Sequence, residues 1–88
     1  MRKGSVNMDS RIAILGIIVE NPDASAQVNE ILHENADYIV GRMGIPYRSR
    51  NLNIISIVID APMDVINSMA GKIGRLEGVS AKTVYSKN

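Results

Sequence analysis

The chain has 88 residues with one histidine and no cysteine, so few of its side chains are able to do chemistry. His33 shares a helical face only with Glu30, whereas a metal ion needs several ligands. The same histidine would have to serve any nucleophilic triad, and no serine lies in a nucleophile-elbow context. The acids available for acid–base work lie at strand ends and in first helical turns, where the helix dipole already favours them: Glu20, Asp23, Asp60 and Asp64. We therefore expect no enzyme, no metal site and no cofactor.

The turn at residues 21–23 is the strongest candidate for binding. Asn21, Pro22 and Asp23 open a helix whose first N–H groups are available to an anion or a polar ligand. A predicted hairpin adds polar contacts from Arg42, Tyr47 and Arg48. These six residues form the predicted ligand site, and an oligomer interface would help to enclose it. An ordinary capped helix start is the alternative interpretation of the turn.

The densest positive cluster is residues 47–50, Tyr-Arg-Ser-Arg, with Arg42 nearby. Such a cluster can contact phosphate. However, the formal net charge is only +1, and the chain has no Phe or Trp on which bases would stack. We therefore do not expect this chain alone to bind nucleic acid.

Apolar residues make up 45% of the chain, and 13 Ile and 8 Val dominate them. β-Branched side chains of this kind favour a sheet-dominated core. The longest apolar stretches run to about nine residues, far short of the ~20 that span a bilayer. No apolar segment follows the basic N-terminus before Arg11, so we do not expect a signal peptide. We expect a cytoplasmic protein without a membrane partner.

The apolar pattern predicts four strands and two helices. Strands are expected at residues 11–19, 38–46, 52–60 and 79–85, and helices after Pro22 and from Pro62. Residues 1–10 are polar and aperiodic, which predicts a flexible tail before a single domain at residues 11–88. The order βαββαβ predicts an α+β, ferredoxin-like (ACT-like) fold, a four-stranded antiparallel sheet with two helices on one face. The expected strand order is 4-1-3-2, since the first and third strands are almost wholly apolar and suit the centre.

Both faces of the two central strands are apolar. In the first strand, Ile12, Ile14 and Ile18 alternate with Leu15 and Ile17, and either set could face the helices. Two helices cover only one face, so several large aliphatic side chains remain uncovered on the other. We therefore predict a homo-oligomer, a dimer or tetramer, that packs through the sheet face. Folding of the tail, residues 1–10, across that face is the alternative.

Several segments resemble one small family, the proposed regulators of the iron-only ([FeFe]) hydrogenase system. The most specific is Gly-Arg-Met-Gly-Ile-Pro-Tyr at residues 41–47, and the others lie at residues 11–20, 28–34, 54–58 and 72–79. The resemblance extends from about Arg11 to Lys87. The fold it implies is similar to ACT domains and to the C-terminal domain of nickel-responsive repressors.

The resemblance implies an oligomeric regulatory module linked to assembly or expression of the hydrogenase. Together with the residues, it predicts a non-enzymatic domain that senses a small ligand or modulates a partner protein. The alternative is a transcriptional regulator that contacts DNA through the paired basic hairpins of an oligomer.

Overall fold

The structure is a computed structural model that describes residues 10–87. Its strands are Ser10–Val19 (β1), Ile39–Tyr47 (β2), Leu52–Pro62 (β3) and Val79–Tyr85 (β4), and its helices are Ser25–Glu34 (α1) and Met63–Gly74 (α2). Ser10, expected in the tail, is already the first residue of β1. The rest of the predicted tail, and its proposed path across the sheet, lie outside the described residues.

The four strands form one antiparallel sheet in the order β2-β3-β1-β4. This confirms the ferredoxin-like α+β prediction, with the two apolar strands at the centre. Edge strand β2 carries a register irregularity between Ile39 and Gly41, as expected for a strand with two glycines and a proline. It begins at Ile39 because Tyr38 belongs to a 3-10 turn, Ala36–Tyr38.

The helices cover the side of the sheet that bears Ala13, Leu15, Ile17 and Val19 of β1. On β3 the buried set is Ile55, Ile57, Ile59 and Ala61, and α1 and α2 close the core with Val28, Leu32, Ile66, Met69 and Ile73. The sequence left open which set of β1 faces the helices. Leu15 is 0% exposed whereas its neighbour Ile14 is 46% exposed, which decides the question.

Both helices begin next to a proline. The Asn21 side chain accepts a hydrogen bond from the Asp23 N–H at 3.1 Å and caps a 3-10 turn, Pro22–Ala24, which leads into α1. Pro22 therefore occupies the first position of the turn, as predicted. Pro62, expected to open α2, instead lies just before it as the N-cap residue in extended conformation, with ψ 153°.

Gly78 precedes β4 and has a left-handed backbone conformation, so a substitution there tests the described start of β4. Its φ is +77°, and a Cβ built there would lie 2.5 Å from the Cβ of Asn21. We expect Gly78→Ala to lower the free energy of unfolding by about 1–3 kcal/mol, since it adds a clash to a left-handed backbone. Chemical denaturation monitored by circular dichroism measures the loss.

Gly71→Ala is the matched control for Gly78→Ala. Gly71 lies in α2, where a Cβ would meet only the Arg75 Nη1 atom at 3.6 Å. This substitution should stabilise the chain by up to about 1 kcal/mol, because alanine favours a helix over glycine. Equal effects of the two substitutions would contradict the described start of β4.

No helix formed by residues 10–87 combines the length and the apolar character that crossing a membrane would require.

Candidate functional site

The side of the sheet opposite the helices, here called the open sheet face, is largely apolar. Directly paired residues of antiparallel strands lie on the same face, so the register gives its rows. One row joins Val84, Ile14, Val58 and Gly41, and another joins Ser80, Ile18, Ile54 and Ile45. Val84 is 65% exposed and Met43, from the row between them, 58%. When one face of an antiparallel sheet meets water, its side chains are usually polar. Most side chains of this face are apolar.

Small side chains lie at the centre of the open sheet face. The middle row runs from Lys82 through Gly16 and Ser56 to Met43. Gly16 and Ser56 are adjacent and lie between the two rows of Ile and Val, so the face has a shallow trough between two apolar ridges. This relief is suited to packing against another apolar surface.

A second feature lies on the helix side, along the seam between α1 and β2. Three shallow cavities of about 180, 220 and 470 Å³ follow one another there. Pro22 and Arg48 line the first, Ser25 and Pro46 the second, and His33 and Ile39 the third. The first two share Pro46 and Asn53, and the last two share Asn29 and Arg42, so together they form one line, here called the α1–β2 groove.

Polar side chains cross the α1–β2 groove at two points. An Arg42 Nη2 atom donates a hydrogen bond to the Asn29 Oδ1 atom at 2.7 Å, and both side chains are exposed. Nearer the start of α1, the Asn53 Nδ2 atom donates to the Ser25 Oγ atom at 3.2 Å. Gly44 lies between these two bridges and lines the middle cavity. A Cβ built at Gly44 would meet no atom within 4 Å, so the missing side chain helps to keep the groove open.

The six residues predicted to bind a ligand are distributed over three places. Pro22 and Arg48 meet in the first cavity, and Arg42 lines the second and third. Asn21 caps the turn before α1 and packs beneath Gly78, while Asp23 is exposed in the same turn. Tyr47 pairs with Leu52 at the end of β2. The structure thus brings Pro22, Arg42 and Arg48 to the α1–β2 groove and leaves the other three outside its lining.

Ser25, Asn29, Gly44 and Asn53 line the groove but were absent from the sequence prediction. Asn53 carried a usable signal, because it lies two positions before Ile55 and therefore has the parity of the buried side of β3. A polar residue at such a position indicates a hydrogen-bond partner, here Ser25. Asn29 and Ser25 carried no such signal, because helical polar residues are usually solvated.

Within residues 10–87, His, Asp and Glu side chains nowhere gather in a group of three or more that could hold a metal ion.

The TM1266-like family, described as "Iron-only hydrogenase system regulator, putative", matches residues 11–83 of the chain. The chain belongs to this family. The match covers the whole sheet except the first residue of β1 and the last two of β4, so it includes the α1–β2 groove and all the large apolar residues of the open sheet face but Val84. Comparison with curated proteins gave no match.

A solved structure agrees with the assignment to the TM1266-like family. The uncharacterized protein TM1266 from Thermotoga maritima is 40% identical, with a TM-score of 0.85, over 89% of this chain and 99% of that one. Two distant structures share the fold alone. A formyltetrahydrofolate deformylase from Pseudomonas putida KT2440 has 14% identity and a TM-score of 0.64, over 88% of this chain and 29% of that one. The C-terminal domain of MgtC from Mycobacterium tuberculosis has 9% identity and a TM-score of 0.70, over 93% and 94% of the two chains.

Proposed function

We propose that this chain is a non-enzymatic regulatory module of the iron-only hydrogenase system that works as a homo-oligomer joined through the open sheet face. It acts by sensing a small ligand or by modulating a partner protein. Membership of the family supports the link to the hydrogenase system. The single observation that carries the assembly is the apolar relief of the open sheet face.

The size of the open sheet face supports assembly with a second copy. Its large apolar residues are between 37% and 65% exposed: Ile12, Ile14, Ile18, Met43, Ile45, Tyr47, Ile54 and Val84. Together they amount to several hundred Å², which approaches the ~800 Å² that one partner contributes to a standard interface. Contiguous apolar patches of this size are uncommon on monomers. A second copy matches the face by symmetry, because each copy presents the same ridges and trough.

The α1–β2 groove lies on the other side of the sheet and is the proposed place of regulation. Because the sheet itself separates the groove from the open sheet face, an effector in the groove and a second copy on the face would not compete. The cavities hold three of the six predicted ligand residues, Pro22, Arg42 and Arg48. Binding there would act on β2, the edge strand that also carries Met43 and Ile45 of the open sheet face.

Light scattering coupled to size exclusion, on the full chain at micromolar concentration, tests the proposed assembly. We expect a mass at least twice the 9.6 kDa of one chain. A single species at the mass of one chain would remove the assembly from the proposal. A stable oligomer whose side chains on the open sheet face remain accessible to hydroxyl-radical labelling would show that the contact lies elsewhere.

A further inference from the structure

We propose that the α1–β2 groove binds an extended acidic segment of a partner protein. The groove is lined on one side by β2 and on the other by α1, and the two elements run in opposite directions along it. Along β2 its lining runs from Ile39 through Arg42 and Pro46 to Arg48, and along α1 it runs from His33 through Asn29 back to Ser25. This ordered alignment makes one linear binding surface instead of three separate pockets.

The length of the groove favours a peptide over a compact molecule. β2 has nine residues, and at ~3.4 Å per residue it spans roughly 27 Å. Two of the cavities, about 180 and 220 Å³, are smaller than the ~300 Å³ typical of small-molecule pockets, and the third, about 470 Å³, is the most open of the three to solvent. An extended segment of seven to ten residues, by the same rise per residue, would occupy all three.

The charge of the groove selects an acidic partner. Among the described residues that line it, Arg42, Arg48 and His33 are the ionisable ones, and none is Asp or Glu. Arg42 now donates to the neutral amide oxygen of Asn29. A carboxylate is a stronger acceptor for a guanidinium than an amide is, so an acidic side chain would replace Asn29 as its partner. Arg48 provides a second anchor, six positions along the chain.

The edge of the sheet and the apolar lining complete the surface. Among residues 10–87, β2 is the outermost strand and pairs only with β3, so its outer side offers backbone groups to an added strand. Pro46 and Ile55 supply apolar contacts between the two arginines, and Leu32 and Ile39 supply further ones beyond Arg42. A segment with one acid near Arg48, a second acid opposite Arg42, and apolar residues between and beyond them fits this arrangement. Duplex DNA fits it less well, since phosphates gain nothing from such contacts.

This inference deepens the partner-modulating part of the proposed function, and the groove does not require the assembly. The test is a selection of displayed random ten-residue peptides on the full chain, followed by fluorescence anisotropy on the enriched sequences. We expect the enriched peptides to be rich in Asp and Glu. Arg42→Gln and Arg48→Gln should each weaken their binding by about tenfold, the value of one charge-assisted hydrogen bond. Arg75→Gln, on an exposed arginine beyond α2, should leave binding unchanged.

Two glycine substitutions that change no charge distinguish binding in the groove from a general effect of the arginine charges. Gly44→Val places a side chain in the middle cavity where a Cβ meets no atom within 4 Å, so the fold should persist while peptide binding is lost. Gly41→Val, which also has no atom within 4 Å of its Cβ, lies on the open sheet face and should leave binding intact. Peptide binding should also survive in a variant that no longer assembles, which keeps this test distinct from that of the oligomer.

Four outcomes would overturn the inference. The first is failure to enrich any peptide, and the second is enrichment without an acidic excess or without dependence on Gly44. Displacement of the peptides by millimolar free glutamate would assign the groove to a small carboxylate. Salt-sensitive binding of duplex DNA that is lost in Arg48→Ala and Arg50→Ala, with no peptide binding, would favour the DNA-contacting regulator.

Discussion

Ile14→Lys should convert the assembled protein into single chains. Ile14 lies in one of the two apolar rows that flank the middle row of the open sheet face and is 46% exposed in the protomer, so a lysine is tolerated by the isolated fold. In the assembly the same position would be covered, and the ammonium group would lose its water without gaining a partner. We expect the dissociation constant of the oligomer to rise by about 100-fold or more, the usual effect of a poorly placed charge at an interface centre.

Ala26→Lys is the matched control, because Ala26 is exposed on α1 and the added charge is identical. Sedimentation velocity over a range of concentrations should show the mass of one chain, 9.6 kDa, for Ile14→Lys and the wild-type mass for Ala26→Lys. Circular dichroism should show both variants folded. If Ile14→Lys keeps the wild-type mass, the open sheet face is not the interface. In a host with an iron-only hydrogenase, the proposed function further expects only Ile14→Lys to lose regulation of the hydrogenase transcript or activity.

Ile57→Ala should bring the protein close to unfolding. Ile57 lies on β3 at 0% exposure in the centre of the core, and removal of a buried isoleucine to alanine costs about 2–5 kcal/mol. A domain of this size has a total free energy of unfolding of about 5–10 kcal/mol. We expect the Tm to fall by roughly 10–30 °C, as measured by circular dichroism or scanning calorimetry.

Ile54→Ala provides the comparison on the same strand. Ile54 is 37% exposed on the open sheet face, so its truncation should cost little in dilute protein. Its effect on Tm should grow as the protein concentration rises, because it weakens assembly and assembly stabilises the folded chain by mass action. The effect of Ile57→Ala should be nearly independent of concentration. Equal losses for the two variants in dilute protein would contradict the assignment of the two faces of β3.

The fold was predictable because strong local signals agreed with the topology. The two apolar runs indicated the central strands, the glycines and proline of residues 41–46 indicated an edge, and the order of elements left one simple arrangement. The side that faces the helices was not predictable from β1 alone, because both alternating sets are apolar. The charge of Lys82 identifies the open side, because Lys82 pairs with Gly16 and so lies on the same face of the sheet. This pairing cannot be used at the level of the sequence, where the register of the strands is not known.

The α1–β2 groove was only partly predictable. The chemistry of Pro22, Arg42 and Arg48 predicts ligand contacts, and the structure places these residues along the groove. Asn21 is also predicted to contact a ligand, but its side chain caps the turn before α1 and lies against Gly78. The groove itself depends on how far α1 lies from edge strand β2, which is exposed along most of its length. The distance between a helix and an edge strand is set by tertiary packing, which produces no recognisable pattern in the sequence.

The apolar character of both sides of β1 and β3 also affects the newly synthesised chain before it folds and assembles. Uncharged β-branched stretches of this kind are the segments most prone to aggregate when they are exposed during synthesis. Charged residues stand at the limits of both: Arg11 and Glu20 bracket the run in β1, and Asp60 follows the run in β3. These positions are typical of gatekeepers, which oppose the stacking of newly made chains into fibrils. Replacing the exposed Arg11 and Glu20 with neutral residues would change no core side chain and should lower the yield of soluble protein.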